Sequence, residues 1–255
     1  MNFLKSIGHM LIGFTYELGN VMMLLYQTVV QIFMPPYDIR NIIRQMNEVG
    51  VKSIPVVLVT GLFTGMVLAL QSYTGFKRFG AESLVGSVVA LSMTREMGPV
   101  LTGLIVTGRA GAAMAAELGT MRVTEQIDAL ETLATNPVKY LIVPRFIAGV
   151  IMLPALTIVS DIVGIFGGYA ITVGLFDASP SQYWRRTWDF LETSDIYSGL
   201  TKACFFGACI ALLSCYKGFY SGGGAEGVGK ATTGAVVLSF MAILISDYFL
   251  SAWLF

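Results

Sequence analysis

Apolar residues in this chain come in long uninterrupted runs rather than in short alternating or stripe-like patterns. A run of about 20 residues is long enough to cross a bilayer core about 30 Å thick. The cleanest is residues 53–76, SIPVVLVTGLFTGMVLALQSYTGF, 24 residues without a charge and flanked by Lys52 and Lys77. Residues 84–108 form the second run, interrupted at the middle by Arg95-Glu96. Residues 146–176 carry one acid, Asp161, and residues 203–216 carry no charge, reaching back to Tyr197 if Lys202 is tolerated. Residues 231–255 close the chain with Asp247 inside. The pattern predicts an all-α integral membrane protein with five transmembrane helices over residues 53–255.

The N-terminal part reads differently. Residues 18–34 are uncharged for 17 positions, and Pro35-Pro36 ends the run. That is short for a crossing. It is read as a helix lying in the membrane surface, with a sixth span as the alternative, so residues 1–52 form an N-terminal interfacial segment. A secretory signal is not expected, because Glu17 precedes the run and no small-residue cleavage site follows.

Composition agrees with the runs: 55% of residues are hydrophobic and 13% charged, with mean hydropathy +0.71, whereas soluble domains carry about 25% charged residues. The formal net charge is zero, which gives no footing for nucleic-acid binding. One histidine, His9, excludes a histidine-based triad or zinc site, and Cys204, Cys209 and Cys215 lie in one apolar run as small hydrophobes. Lysine and arginine orient the spans. Ten fall on one side (Lys5, Arg40, Arg44, Lys52, Arg109, Arg122, Lys139, Arg145, Lys217, Lys230) and four on the other (Lys77, Arg78, Arg185, Arg186). The richer side is cytoplasmic, and the C-terminus lies outside.

Three local patterns carry candidate chemistry. SGGGAEGVGKATT, residues 221–233, approaches a phosphate-binding loop, but Ala231 stands where that loop needs Ser or Thr. It joins two spans, and the 25 residues after Lys230 are too few for a nucleotide-binding sheet; a flexible cytoplasmic turn is expected instead. Small residues inside spans, Gly61 with Gly65 and Ala231, Gly234 and Ala235, allow close helix approach. They serve either packing within the chain or a homodimer through the first and last spans. Arg95 and Glu96 fall near mid-membrane, where a lone charge costs at least about 2.5–3.5 kcal/mol. Neighbours on a helix point about 100° apart, so each needs its own partner. Either they pair with other spans, Arg95 with Asp161 or Asp247, or they line a cavity where Arg95 meets a lipid phosphate. Gly98-Pro99 should kink or break the span there.

On the cytoplasmic side, Val123, Ile127, Leu130 and Ala134 recur at helical spacing, with Glu125, Asp128 and Glu131 on the other faces, until Asn136-Pro137 stops the helix. Surface-lying membrane helices usually carry basic polar faces, so this acidic one fits better in a groove on a partner protein. Arg109 and Arg122 would either join that contact or brace the helix.

The stretch GRAGAAMAAELGTMRVTEQIDAL, with TREMGPVLTGL before it and NPVKYLIVPR after it, resembles the signature of the MlaE family. These are permease subunits of ABC transporters that move phospholipid between bacterial membranes. The similarity runs from about residue 45 to the C-terminus. It implies a five-span permease in the bacterial inner membrane, working as a homodimer behind an elbow helix, with substrate phospholipid at the dimer interface. It also implies a cytoplasmic ABC ATPase holding the ATP and magnesium, so no cofactor in this chain. An outer MCE-domain lipid-binding protein is implied, and in some systems a STAS-domain protein. The coupling helix to the ATPase would span about 117–134, using Glu117, Leu118, Gly119, Thr120, Met121, Arg122, Val123, Thr124, Glu125, Ile127, Asp128 and Leu130. Lipid would meet Leu68, Gly75, Phe76, Phe79, Arg95, Glu96 and Met97. Two other classes remain open: a membrane-embedded lipid-modifying enzyme using Glu96, Asp161 or Asp247, and a passive channel or scaffold; a channel without an ATPase would have no use for an ATPase-docking helix.

Overall fold

The computed structural model describes the backbone of residues 2–254, and the side chains of residues 12–254 other than residue 14. Lys5 and His9, which enter the charge count and the histidine argument, lie outside the described side chains. Among the described residues the chain is all helix: α1 (Asn2–Ile32), α2 (Ile39–Val49), α3 (Ile54–Phe76), α4 (Val85–Ser92), α5 (Gly98–Val106), α6 (Ala112–Val123), α7 (Gln126–Thr132), α8 (Val143–Gly174), α9 (Pro180–Phe190), α10 (Thr193–Phe219) and α11 (Gly224–Leu254). Several join end to end into five rods long and apolar enough to cross a membrane: Ile39–Phe79, Glu82–Val123, Val138–Gly174, Thr193–Phe219 and Gly224–Leu254. The chain is a multi-pass membrane protein.

Local chemistry sets the rod ends. The Asp38 carboxylate accepts the Asn41 N–H at 3.1 Å and opens α2. Left-handed Gly80 (φ +65°) closes the first span. Glu192 and Asp195 cap the start of α10 reciprocally.

The second rod bends its helical rule without stopping. Wide π-type turns occupy Met93–Met97 and Thr107–Gly111, and a third, Val138–Ile142, opens the α8 rod. Two of the three stand just before a proline, Pro99 or Pro144. A proline offers no N–H and its ring crowds the carbonyl four residues back; a wider turn relieves that crowding. The expected break at Gly98-Pro99 is therefore an expanded turn in a continuous helix.

Close backbone approach holds α3 to α8. A Cβ built on Gly65 would sit 1.9 Å from the Gly164 carbonyl oxygen, and one on Gly61 would sit 2.9 Å from Ser160 Oγ. Gly61 and Gly65 are thus consumed inside the chain, which corrects their use as a dimer seam. Ala231 and Ala235 are likewise buried. The main core gathers Leu118, Ile142, Leu153, Phe206 and Ile210 around α10, and a smaller cluster (Ala69, Val85, Val89, Met93) joins the outer ends of the first two spans.

The glycine-rich stretch is mostly not a turn. Gly223 and Gly224 turn the chain with φ +86° and +69°, and α11 starts at once, with Lys230 and Glu226 paired one turn apart at 2.7 Å. The residues after Gly224 are helical despite Gly227 and Gly229, and carry an i,i+4 ion pair, so the flexible loop expected over residues 221–233 shrinks to about its first three.

Candidate functional site

The second rod carries Arg95 and Glu96 into a cluster built from three spans. Arg95 Nε and Nη2 reach Asp195 Oδ1 at 2.7 and 2.6 Å, and Asp195 is 1% exposed at the start of α10. One residue on, Glu96 points to a different neighbour, as the 100° step requires. Its carboxylate pairs with Lys202 Nζ at 2.8 Å and accepts the Ser251 hydroxyl at 3.1 Å. Lys202 is wholly buried, donates to Ser251 Oγ at 2.7 Å and lies 3.2 Å from Asp247. That last contact is an ion pair without hydrogen-bond alignment, so Asp247 Oδ1 has no hydrogen-bond partner among the described residues. Lys202 also donates at 3.1 Å to the Arg95 carbonyl, the group that Pro99 crowds. The proline, the wide turn and the buried lysine are one arrangement.

Arg95 and Glu96 do pair across spans, but with Asp195 and Lys202 rather than with Asp161 or Asp247 as expected for Arg95. The cluster is nonetheless open: the Arg95 and Glu96 side chains are 39% and 38% exposed, and Met97 is 42% exposed. A shallow apolar hollow of about 440 Å³ lies on the same two helices, α10 and α11, lined by Phe205, Ile245, Phe249 and Trp253. Asp161 sits apart, with a buried oxygen that lacks a hydrogen-bond partner among the described residues, held where a Cβ on Gly98 would collide with it at 1.8 Å.

The other residues expected at the lipid scatter by depth. Leu68 and Phe76 are half-buried against the small outer cluster, Gly75 is exposed, and Phe79 is 83% exposed at the end of the span. Sequence reasoning missed Asp195 and placed Lys202 within or near a span without naming its partners. A lysine inside an apolar run needs acids, and Glu96 and Asp247 were the available signals.

At the far end of the second rod the expected single helix is two. The second rod continues through Val123, the chain turns at Thr124 and Glu125 (φ +58°), and α7 follows. Ala134, with φ +57°, lies outside α7. The stripe therefore does not share one face: Ile127 is fully buried in this chain's own core, while Val123 is exposed. Leu118 and Gly119 are buried too. Thr120, Val123, Thr124, Glu125 and Asp128 are exposed, Met121 and Leu130 half-buried. Glu117 pairs with Arg145 at 2.7 Å and Arg122 with Asp128 at 2.5 Å across the turn. Arg109 binds Ser53 Oγ at 2.9 Å and the Glu48 and Val49 carbonyls, tying the rod to α2. Among the described residues no group of His, Cys, Asp or Glu is placed to hold a metal ion.

Residues 42–253 match the family described as Permease MlaE. The chain is 50% identical over its full length, and over 98% of the relative, to a probable ABC transporter permease protein of Rickettsia felis. It is 36% identical, again over the full chain and 98% of the relative, to the intermembrane phospholipid transport system permease protein MlaE of Haemophilus influenzae. To the chloroplastic protein TRIGALACTOSYLDIACYLGLYCEROL 1 of Arabidopsis thaliana it is 40% identical, over 90% of this chain and 65% of that protein.

Proposed function

The chain belongs to the MlaE permease family, and from that premise we propose that it is the membrane subunit of an ABC transporter that carries phospholipid between the two membranes of a bacterial envelope. The observation that carries the lipid part is the cluster itself. Lys202 is sealed and neutralised from within the chain, whereas Arg95, Glu96 and Met97 stay open on a membrane-embedded face. A purely structural ion-pair network gains nothing from such exposure in hydrocarbon, where charge left facing lipid is costly. An amphipathic cargo supplies polar atoms to Arg95 and acyl chains to the apolar wall beside it. The lipid path would run past Arg95, Glu96 and Met97, with Leu68, Gly75, Phe76 and Phe79 nearer the outer surface.

Several further parts belong to the same reading. ATP and magnesium bind a cytoplasmic ATPase, which docks on the turn between α6 and α7 through the exposed Thr120, Val123, Thr124, Glu125 and Asp128, with Met121 and Leu130 beneath. The buried Leu118, Gly119 and Ile127 hold that turn in shape. Two copies face one another across α3 and α11, whose outward residues Val59, Phe63 and Val67, and Met241, Leu244 and Tyr248, are exposed and apolar. An MCE-domain protein sits on the outer side, a STAS-domain protein on the ATPase where one exists, and the assembly lies in the inner membrane. α1 runs along the cytoplasmic surface: Glu17 pairs with Lys217 at 3.0 Å and Lys139 donates to the Pro35 carbonyl at 2.9 Å, and both lysines lie on the cytoplasmic side.

Gentle purification from native membranes tests the proposal. It should yield a nucleotide-hydrolysing partner together with intact phospholipid. Isolation without an ATPase would overturn the transporter reading, and chemically altered lipid would favour the enzyme.

A further inference from the structure

A second polar site lies at the cytoplasmic end, away from the mid-membrane cluster. Between α2 and the inner end of the second rod is a cleft of about 570 Å³, which shares Arg44, Gln45 and Glu117 with a neighbouring one of about 300 Å³. Gln45 is 7% exposed and lines both, yet its side-chain amide bonds to none of the described residues. Arg145 is also buried here. Its Nη1 donates to the Leu141 carbonyl at 2.6 Å and its Nη2 to Glu117 at 2.7 Å, while Nε has no partner among the described residues. Arg44 stands exposed at the mouth, ion-paired with none of the described residues. Two guanidinium groups against one carboxylate leave a positive excess, and the Arg44 and Gln45 N–H groups line the cleft, with the buried Arg145 guanidinium behind them. A phosphate there would supply acceptors to Arg44 and Gln45 and sit in the positive field of Arg145.

What adjoins the cleft indicates where the phosphate comes from. Asn41 Nδ2 donates to the Tyr140 carbonyl at 3.0 Å, and Tyr140 also lines a mainly apolar cavity of about 520 Å³ with Tyr37, Ile42, Val143 and Pro144. On the outside of α2, Ile39 and Ile43 are 65% and 61% exposed, as on a helix seated at the headgroup–acyl boundary. A protein carboxylate would have no use for the apolar cavity. We propose that this cleft binds an anionic phospholipid of the cytoplasmic leaflet, its phosphate between Arg44, Gln45 and Arg145 and an acyl chain along Tyr140, Ile42 and Val143. Its role is to hold α2 against the rods, apart from any lipid being moved. The inference rests on the membrane-spanning fold and not on the transport reading.

The test uses the purified protein with its copurifying partners in phosphatidylcholine nanodiscs, titrated with phosphatidylglycerol and read by native mass spectrometry. Wild type should retain phosphatidylglycerol selectively. Arg44→Gln should weaken retention about fivefold, the effect of one cation near an anionic surface, and Gln45→Leu, which removes one neutral phosphate donor, should weaken it by a smaller factor in a folded protein. Lys230→Gln, an exposed cation on the same side of the membrane, should change nothing. Equal retention in wild type and both cleft variants would overturn the proposal. So would full competition by glycerol 3-phosphate, which has no acyl chain. Loss of a protein partner from Arg44→Gln with lipid retention unchanged would assign the cleft to that partner and overturn it equally.

Discussion

Two wide turns precede prolines in this chain, and each leaves a crowded carbonyl to satisfy. The first, Met93–Met97 before Pro99, lies within the membrane, and the Arg95 carbonyl takes its hydrogen bond from the buried Lys202 ammonium. The second, Val138–Ile142 before Pro144, stands at the surface where the third rod starts, and the Tyr140 carbonyl is satisfied by the neutral amide of Asn41. The backbone problem is the same, but the donor is charged in one place and neutral in the other. A neutral donor is enough wherever only the carbonyl needs a partner. A charged donor inside the bilayer brings a desolvation cost that must be offset by further groups, here Glu96, Asp247 and Ser251. The surface turn fastens a helix; the membrane turn organises three spans around a charge that the fold alone does not require.

The comparison predicts unequal consequences. Lys202→Met leaves Glu96 and Asp247 without their cation, and breaking a buried ion pair costs about 3–5 kcal/mol. The thermal midpoint of the detergent-purified protein should fall steeply, or folded yield should vanish. If charge balance is the reason, Lys202→Met combined with Glu96→Gln and Asp247→Asn should recover most of the stability but no lipid transport. Recovery of both would reduce the cluster to scaffolding. Asp195→Asn should come next. It removes the carboxylate from Arg95 and weakens the cap of α10, a loss of about 1.5–3 kcal/mol for a hydrogen bond to a charged group. Asn41→Ala should be mildest, about 0.5–1.5 kcal/mol for one neutral hydrogen bond, with ATPase copurification intact. A larger loss for Asn41→Ala than for Asp195→Asn, by the same thermal readout, would invert the comparison.

The five spans were legible because length and unbroken apolarity signal a membrane crossing wherever they occur, and the adjacent Arg95 and Glu96 announced that each needed its own partner. Which partners they found was not legible. Asp195 stands outside the apolar run, so nothing in the local pattern ties it to Arg95, 100 positions away. Gly61 and Gly65 read equally well as an internal or an intermolecular seam, because small residues report close approach without naming the neighbour. The Val123–Ile127–Leu130 spacing is helical on paper, but Glu125 in the left-handed region interrupts it, and no Gly or Pro marks that position. Lys202 was left open between the inside of a span and its edge, because a lysine near the end of an apolar run often marks the membrane boundary.

The most direct test of the central claim is lipid contact at the open edge of the cluster during turnover. A photocrosslinking residue at Met97, in the complex reconstituted with its ATPase partner and labelled phospholipid, should capture lipid strongly before ATP is added and much less while ATP is being hydrolysed. The same residue at Ile158, exposed on α8, should capture only surrounding lipid and be indifferent to ATP. Equal capture at both positions, unchanged by ATP, would contradict a lipid path through Arg95 and Glu96.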